Sequence, residues 1–240
     1  MSKTNMYPNT KTWNPFIGCD FDCIYCEKSF KRVLRRVGHN IGCRLCYNYT
    51  PHIHLERLKK IPSSPIVFVY GQSDIYFCSP HFVRRTFKAI EDHKPRKPKT
   101  YYFQSKSPSV FNIYLDWFNE NKDKVILLTT LETNKNEGYR ENISKAPLPT
   151  RRFYDFLDLA YSRKVVTVEP VLDFDLEIFL TWIRLLRDQG TLEYVWFGYD
   201  SKGCNLPEPS TEKAQRFVDE LQAYGIEVRG KTLRNVKLKG

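Results

Sequence analysis

The strongest constraint on the fold is a rhythm that repeats from residue 66 to residue 231. Apolar runs of strand length end in polar residues, and a stretch with helical spacing follows each. Ile66 to Tyr70 ends in Gly71-Gln72-Ser73-Asp74 before a helical Phe82 to Asp92, and Tyr101 to Phe103 ends in Gln104-Ser105-Lys106 before Val110 to Asn119. Val125 to Thr129 runs into Thr130-Leu131-Glu132-Thr133-Asn134, a polar loop, and a helical Arg151 to Ser162. Val165 to Val168 ends in Glu169-Pro170 ahead of Leu176 to Gln189. Tyr194 to Phe197 ends in Gly198-Tyr199-Asp200-Ser201-Lys202 ahead of Glu212 to Tyr224, and Ile226 to Arg229 closes the series at Gly230-Lys231. Strands that alternate with helices are joined by right-handed crossovers, so the sheet should be parallel. The pattern predicts an α/β fold: a partial or complete parallel (β/α) barrel of six to seven units, with the polar strand ends at the working face. A doubly wound open sheet is the rival, but no Gly-rich phosphate loop follows a strand.

A chain of 240 residues suits one barrel-sized domain spanning 1–240. No run approaches the roughly 20 apolar residues of a membrane span, so no membrane partner is expected. Met1 to Thr12 is polar and lacks the apolar segment of a secretory signal, which points to a reducing cytoplasm. There, seven cysteines are expected as metal ligands or buried thiols rather than disulfides. The net charge is +11, and residues 28–60 hold nine Lys and Arg against the single acid Glu56. That imbalance suits an anionic partner such as nucleic acid; it equally suits a solvated basic surface. Tyr7, Trp13, Tyr47, Tyr49, Tyr70 and Tyr76 lie amid these charges and could stack on bases or serve as core.

Residues 10–18 read as an extended segment punctuated by Pro15 and Gly18, leading into Cys19-Asp20-Phe21-Asp22-Cys23-Ile24-Tyr25-Cys26. Its C-x3-C-x2-C spacing lets one short loop aim three sulfurs at one inorganic centre. A closed cluster or a structural zinc takes four protein ligands, so three leave one iron of a 4Fe-4S cube open to a substrate or cosubstrate. The alternative is a zinc knuckle completed by Cys43 or Cys46. Glu27 to Val37 reads as a helix with Phe30, Val33, Leu34 and Val37 on one face and basic residues on the other. An irregular insert follows, at about 38–60, where Cys43-x2-Cys46 has His39, His52 and His54 nearby. It is the candidate for a second metal, zinc or iron-sulfur, or else a pair of buried thiols.

The Cys19-Cys23-Cys26 loop, with Tyr25 before its last cysteine, resembles the signature of radical S-adenosylmethionine (radical SAM) enzymes. Taken in order, Thr12-Trp13-Asn14-Pro15, Gly18-Cys19, Ser73-Asp74, Lys106-Ser107-Pro108, Glu132-Thr133-Asn134, Glu169-Pro170 and Gly198-x-Asp200-Ser201 look like a phage and prokaryote family of radical-SAM-like proteins of undetermined function. That family is distantly similar to spore photoproduct lyase. The resemblance runs from about residue 10 to 235, and the Cys triad is its most specific part. It departs in three places: the first two cysteines have the compact radical SAM spacing, Cys43 and Cys46 are absent from typical relatives, and Asp200 lacks the second Gly before it.

The resemblance implies a radical SAM barrel with a 4Fe-4S cluster on Cys19, Cys23 and Cys26. The fourth iron would bind S-adenosylmethionine, whose reductive cleavage gives a 5′-deoxyadenosyl radical, with electrons from a flavodoxin or ferredoxin. It places Gln72, Ser73 and Asp74 near the SAM amino group, although Asp74 could equally cap the next helix. Lys106 would meet the SAM carboxylate, and Glu132 and Asn134 the ribose hydroxyls. Glu169, Asp200 and Lys231 would complete the mouth. An acid such as Glu169 is costly there unless paired, which makes it the leading catalytic candidate. Cys78 and Cys204 are further candidates, as hydrogen donors, with burial as the plainer explanation. The expected substrate is a nucleic acid or nucleotide. The alternatives are radical SAM chemistry on a small metabolite and a non-enzymatic nucleic-acid-binding protein stapled by zinc.

Overall fold

The computed structural model describes residues 9–239, so Tyr7 lies outside the described residues. In chain order the elements are β1 (Thr10–Trp13), β2 (Phe16–Ile17), α1 (Arg32–Ile41), α2 (Arg44–Tyr47), β3 (His52–Ile53), β4 (Ile66–Val69), α3 (Pro80–Asp92), β5 (Thr100–Gln104), α4 (Leu115–Glu120), β6 (Val125–Thr130), α5 (Tyr139–Asn142), α6 (Pro149–Leu157), β7 (Lys164–Val168), α7 (Leu176–Asp188), β8 (Leu192–Phe197), α8 (Thr211–Ala223) and β9 (Val228–Gly230). Seven strands form one sheet in the order β1-β4-β5-β6-β7-β8-β9, and every pairing in it is parallel. The order never reverses, which separates this sheet from a doubly wound one, whose strand order switches direction at its centre. Among the described residues no ladder joins β9 to β1, so the barrel is partial. β2 and β3 form a separate antiparallel pair.

Both faces of the sheet are buried, and period-two alternation sorts their side chains. Val67, Val69, Tyr101, Phe103, Val125, Leu127, Val166, Val168, Val195 and Phe197 face the helices and build the main core. Phe68, Tyr102, Ile126, Leu128, Val165, Tyr194 and Trp196 alternate with them and pack together inside the curl. Low on that inner face Tyr194 Oη donates to Tyr102 Oη at 3.0 Å, with the Arg229 guanidinium 3.9 Å from the Tyr194 ring centroid. The bottom of the barrel is thereby filled, and open space is left at the C-terminal ends of the strands.

Three of the longer helices begin at side-chain caps. Ser79, Asp175 and Ser210 accept from the backbone N–H three residues on, at the heads of α3, α7 and α8. Glu27 to Val37 is helical as expected, through a π turn at Glu27–Lys31 that runs into α1. The helix continues to Ile41 and ends at Gly42, whose φ of 65° is left-handed. Val110 to Asn119 divides into a 3-10 segment, Pro108–Tyr114, followed by α4. The insert is more ordered than its sequence suggests, since it contains α2 and β3.

Candidate functional site

The Cys loop leaves β1 through Asn14 and Pro15. The Asn14 side chain brackets the end of β4: its Oδ1 accepts from Gln72 N and its Nδ2 donates to Gln72 Oε1, both at 3.1 Å. Gly18 then bridges to Ser73. Gly18 has φ +96°, and a Cβ there would stand 2.3 Å from the Thr50 carbonyl, so only glycine lets the loop pass against the insert. Beyond it the loop is tied to residues 143–145. Phe21 O accepts from Lys145 N at 2.7 Å and from Ser144 Oγ at 3.1 Å, and Ile24 N donates to Ile143 O at 3.0 Å.

This anchoring turns Cys19, Cys23 and Cys26 into a cavity of about 390 Å³, within the ~300–1,000 Å³ typical of small-molecule sites. Ser73, Asp74, Lys106, Glu169, Asp200 and Lys231 line the same cavity, so strand-end residues from 73 to 231 converge on the three thiols. All three cysteines are free of disulfides. Thr12, Gln104 and Thr130 also line it; the sequence placed them in the strand-end and resemblance motifs without giving any of them a role. Parity could have found two of them, because Gln104 and Thr130 continue the inward alternation of Tyr102 and Leu128.

The charges are arranged in two groups. In the first, the Cys26 thiol donates to Cys23, and with the Lys106 ammonium nearby this lowers the Cys23 pKa to about 6, against the pull of burial. Ser144 Oγ lies 3.0 Å from the Cys23 sulfur. Burial pushes the Cys19 thiol up. Lys106 Nζ also pairs with Glu132 and contacts Tyr25 Oη, which itself donates to Glu132. Arg152 Nη1 reaches Glu132 Oε2 at 2.7 Å, with both side chains wholly buried. Burial alone would raise Glu132, but Arg152 and Lys106 overcome it and hold the carboxyl at about 2.

In the second group, burial raises Glu169 to about 7, opposed by Lys231 at 3.9 Å and by a hydrogen bond from Trp196 Nε1. Burial likewise raises Asp74 to about 6, although it accepts from Ser105 Oγ at 2.7 Å, Lys106 N at 2.8 Å and Tyr76 N at 2.9 Å. The bond to Tyr76 N is a cap at the head of the short 3-10 turn Ile75–Phe77.

The other candidates stand apart from the cavity wall. Glu132 sits behind it, with its oxygens taken by Arg152, Lys106, Tyr25 and Tyr139. The Asn134 amide bonds Asp175 O and Asp175 N, both at 2.9 Å, and so braces the head of α7. Cys78 is buried in the core, with its sulfur 3.9 Å from Tyr70 Oη. Cys204 lies in the 201–210 loop, where its N–H donates to Asp200 Oδ2; Asp200 Oδ1 accepts from Lys202 N at 2.8 Å. Gln72 is occupied by Asn14. Of the aromatics flanked by basic charge, Trp13, Tyr49 and Tyr70 are buried, whereas Tyr47 and Tyr76 are exposed. Sequence reasoning also passed over Arg152. It shares helical spacing with buried Pro149, Phe153 and Phe156 on α6, and a cation on an apolar face is the signal that could have revealed it.

A second constellation lies in the insert. One ligand atom from each of Cys43, Cys46, His52 and His54 falls within 4.8 Å of the others. The triad sulfurs are not gathered to that single-ion spacing among the described residues.

No protein-family model matches the chain, and no curated protein matches it. Among solved structures it is similar to native anSMEcpe with bound AdoMet and Cp18Cys peptide, at 11% identity and a TM-score of 0.48, over 92% of this chain and 63% of that one. The chain thus spans less than two thirds of that structure's length.

Proposed function

We propose that the chain is a radical SAM enzyme in which Cys19, Cys23 and Cys26 hold a 4Fe-4S cluster and the adjoining cavity receives S-adenosylmethionine. One observation carries the reading: three disulfide-free cysteines line the same cavity as Ser73, Asp74, Lys106, Glu169, Asp200 and Lys231, at the C-terminal mouth of a parallel partial barrel. The donor set fits the group, because iron-sulfur clusters take cysteine sulfur ligands and three disulfide-free cysteines on one short loop line one cavity. When bound, the cluster and SAM supply reductive SAM cleavage and hydrogen abstraction, with electrons from a flavodoxin- or ferredoxin-type donor.

The chain's own residues then have distinct tasks. Lys106 balances the thiolate charge and is itself held by Glu132. Asp74 and Ser73 present acceptors to an ammonium group at the end of β4. Glu169 and Lys231 offer a carboxyl and an ammonium on the opposite wall, where Glu169, at about 7, can hold or release a proton near neutrality. Phe21, Phe30, Tyr49 and Phe68 give the cavity apolar walls that limit water. The roles of Cys78 and Cys204 as hydrogen donors would require substrate or loop to reach them.

The substrate class that the charge favours is a nucleic acid or nucleotide. Support comes from the net charge of +11, exposed Arg32, Arg35 and Arg36 on α1, and Lys202 at the mouth. Binding should weaken steeply as salt rises; retention unchanged from low to high salt would count against it.

The enzyme reading is tested by anaerobic reconstitution. About four irons and four sulfides per chain are expected, followed, under strong reductant, by 5′-deoxyadenosine and methionine. An intact cluster without SAM cleavage would sink it. A second reading, a nucleic-acid-binding protein stapled by zinc, draws on the Cys43, Cys46, His52 and His54 group; it predicts zinc without sulfide.

A further inference from the structure

The residues from Cys43 to His54 build a compact site that the cavity chemistry does not use. Cys46 Sγ lies 3.1 Å from His54 Nε2 and 3.3 Å from His52 Nε2, Cys43 Sγ lies 3.6 Å from His52 Nε2, and the two Nε2 atoms are 2.9 Å apart. Around a tetrahedral zinc with Zn–N near 2.05 Å and Zn–S near 2.3 Å, ligand atoms stand about 3.3–3.8 Å from one another. The 3.3 and 3.6 Å Cys–His52 distances match that spacing, and the 2.9 and 3.1 Å contacts to His54 are tighter than it.

The outer atoms of both imidazoles are oriented for ligation. His52 Nδ1 is 2.7 Å from Thr50 O, a pure acceptor, so Nδ1 carries the proton and Nε2 presents its lone pair inward. His54 Nδ1 is 3.1 Å from Glu56 Oε1, the carboxylate partner common behind metal-bound histidines. Cys43 caps α2 and its sulfur accepts from Cys46 N at 3.4 Å, a bond that favours a charged sulfur ligand.

We propose that Cys43, Cys46, His52 and His54 form a four-ligand structural zinc site that holds the insert in the shape in which it packs against the start of the Cys19–Cys26 loop. Two sulfurs and two imidazoles at single-ion spacing favour zinc over a second iron-sulfur cluster, whose ligands must spread over separate irons. The ligand set is closed, so the ion supports structure rather than catalysis. Its reach toward the cavity is short. His52 pairs with Ile17 between β3 and β2, Cys46 packs with Ile17, Leu34 and Tyr49 while Cys19 and Cys43 lie against that cluster, and Tyr49 lines the cavity. The proposal is independent of the cofactor on the triad.

The test is metal content of the full-length chain, read alongside cobalt(II) substitution. The wild type should hold about one zinc per chain and give the visible spectrum of tetrahedral thiolate–imidazole cobalt. Replacing Cys19, Cys23 and Cys26 together by serine should leave both readouts in place, and Cys46→Ser should abolish both. Glu56→Gln, an exposed side chain whose loss does not threaten folding, should weaken zinc retention about 10–100-fold in chelator competition. Substoichiometric zinc with no cobalt spectrum in the wild type would overturn the site, as would zinc that follows the triad instead of Cys46. Iron and sulfide remaining on the triad-substituted chain would replace zinc by a second cluster.

Discussion

Arg152 and Glu132 meet at 2.7 Å in a position where neither side chain touches solvent. Arg152 also donates to Thr130 O at 2.5 Å and lies over the Tyr139 ring at 4.9 Å. The pair carries α6 to the floor of the site, where the other Glu132 oxygen receives Tyr25 of the Cys loop and Lys106 of the β5 end.

Arg152→Met should therefore be severely destabilising, since it removes the cation on Glu132 Oε2 in a fully buried site and leaves Lys106 as the remaining counter-charge. A loss of roughly 3–5 kcal/mol is expected, which denaturant titration would measure. Glu132 is held below its ordinary 4.5, at about 2, so its contribution is present above pH 4.5 and is lost as pH falls through 2. An Arg152→Met variant as stable as the parent would show that the pair is dispensable.

Glu169 has the opposite sign. Burial raises it from 4.5 to about 7, so the fold favours its protonated form; that stability is complete below pH 4.5 and disappears as pH rises through 7. In Glu169→Gln the decline between those pH values should flatten, by at most about 3 kcal/mol. Asp74, raised to about 6, keeps part of the slope in the variant. Thermal melts of both proteins across that range decide the matter, and parallel profiles would contradict the assignment.

Lys106→Met should raise the Cys23 thiol from about 6 toward the ordinary value of 9 in metal-free protein. The shift should be partial, because the hydrogen bond from Cys26 is the larger influence and survives. Thiolate absorbance against pH reads it directly. No shift would mean that the ammonium is too screened to matter.

Gly18→Ala places a Cβ 2.3 Å from backbone atoms of Thr50 at a φ of +96°. The seam between the Cys loop and the insert should open, at a stability loss of roughly 2 kcal/mol or more. Hydrogen exchange should rise first at Ile17 and His52, the residues paired across the two strands beside the seam. Protection unchanged at both would show that the seam tolerates the added carbon.

The sequence by itself determined the βα rhythm, because strand and helix periodicities are written in local order. Val67, Val69 and Phe68 alternate faces as an ideal pleat requires, and α3, α7 and α8 lie within about two residues of their predicted bounds. The C-x3-C-x2-C spacing likewise placed three thiols on one short loop, and the strand-end positions of Ser73, Lys106 and Glu169 followed from the same rhythm. Tertiary structure alone decided which of those strand-end residues face the cavity and which are consumed elsewhere. Glu132 and Asn134 both end β6 in the sequence, yet one turns to Arg152 and the other to Asp175, since each buried polar group must find a partner that only the packed neighbours can supply. The convergence of Cys43, Cys46, His52 and His54 was decided in the same way. Chain order brings the four near one another, but only the β2–β3 pairing and the turn of α2 aim their ligand atoms at one point.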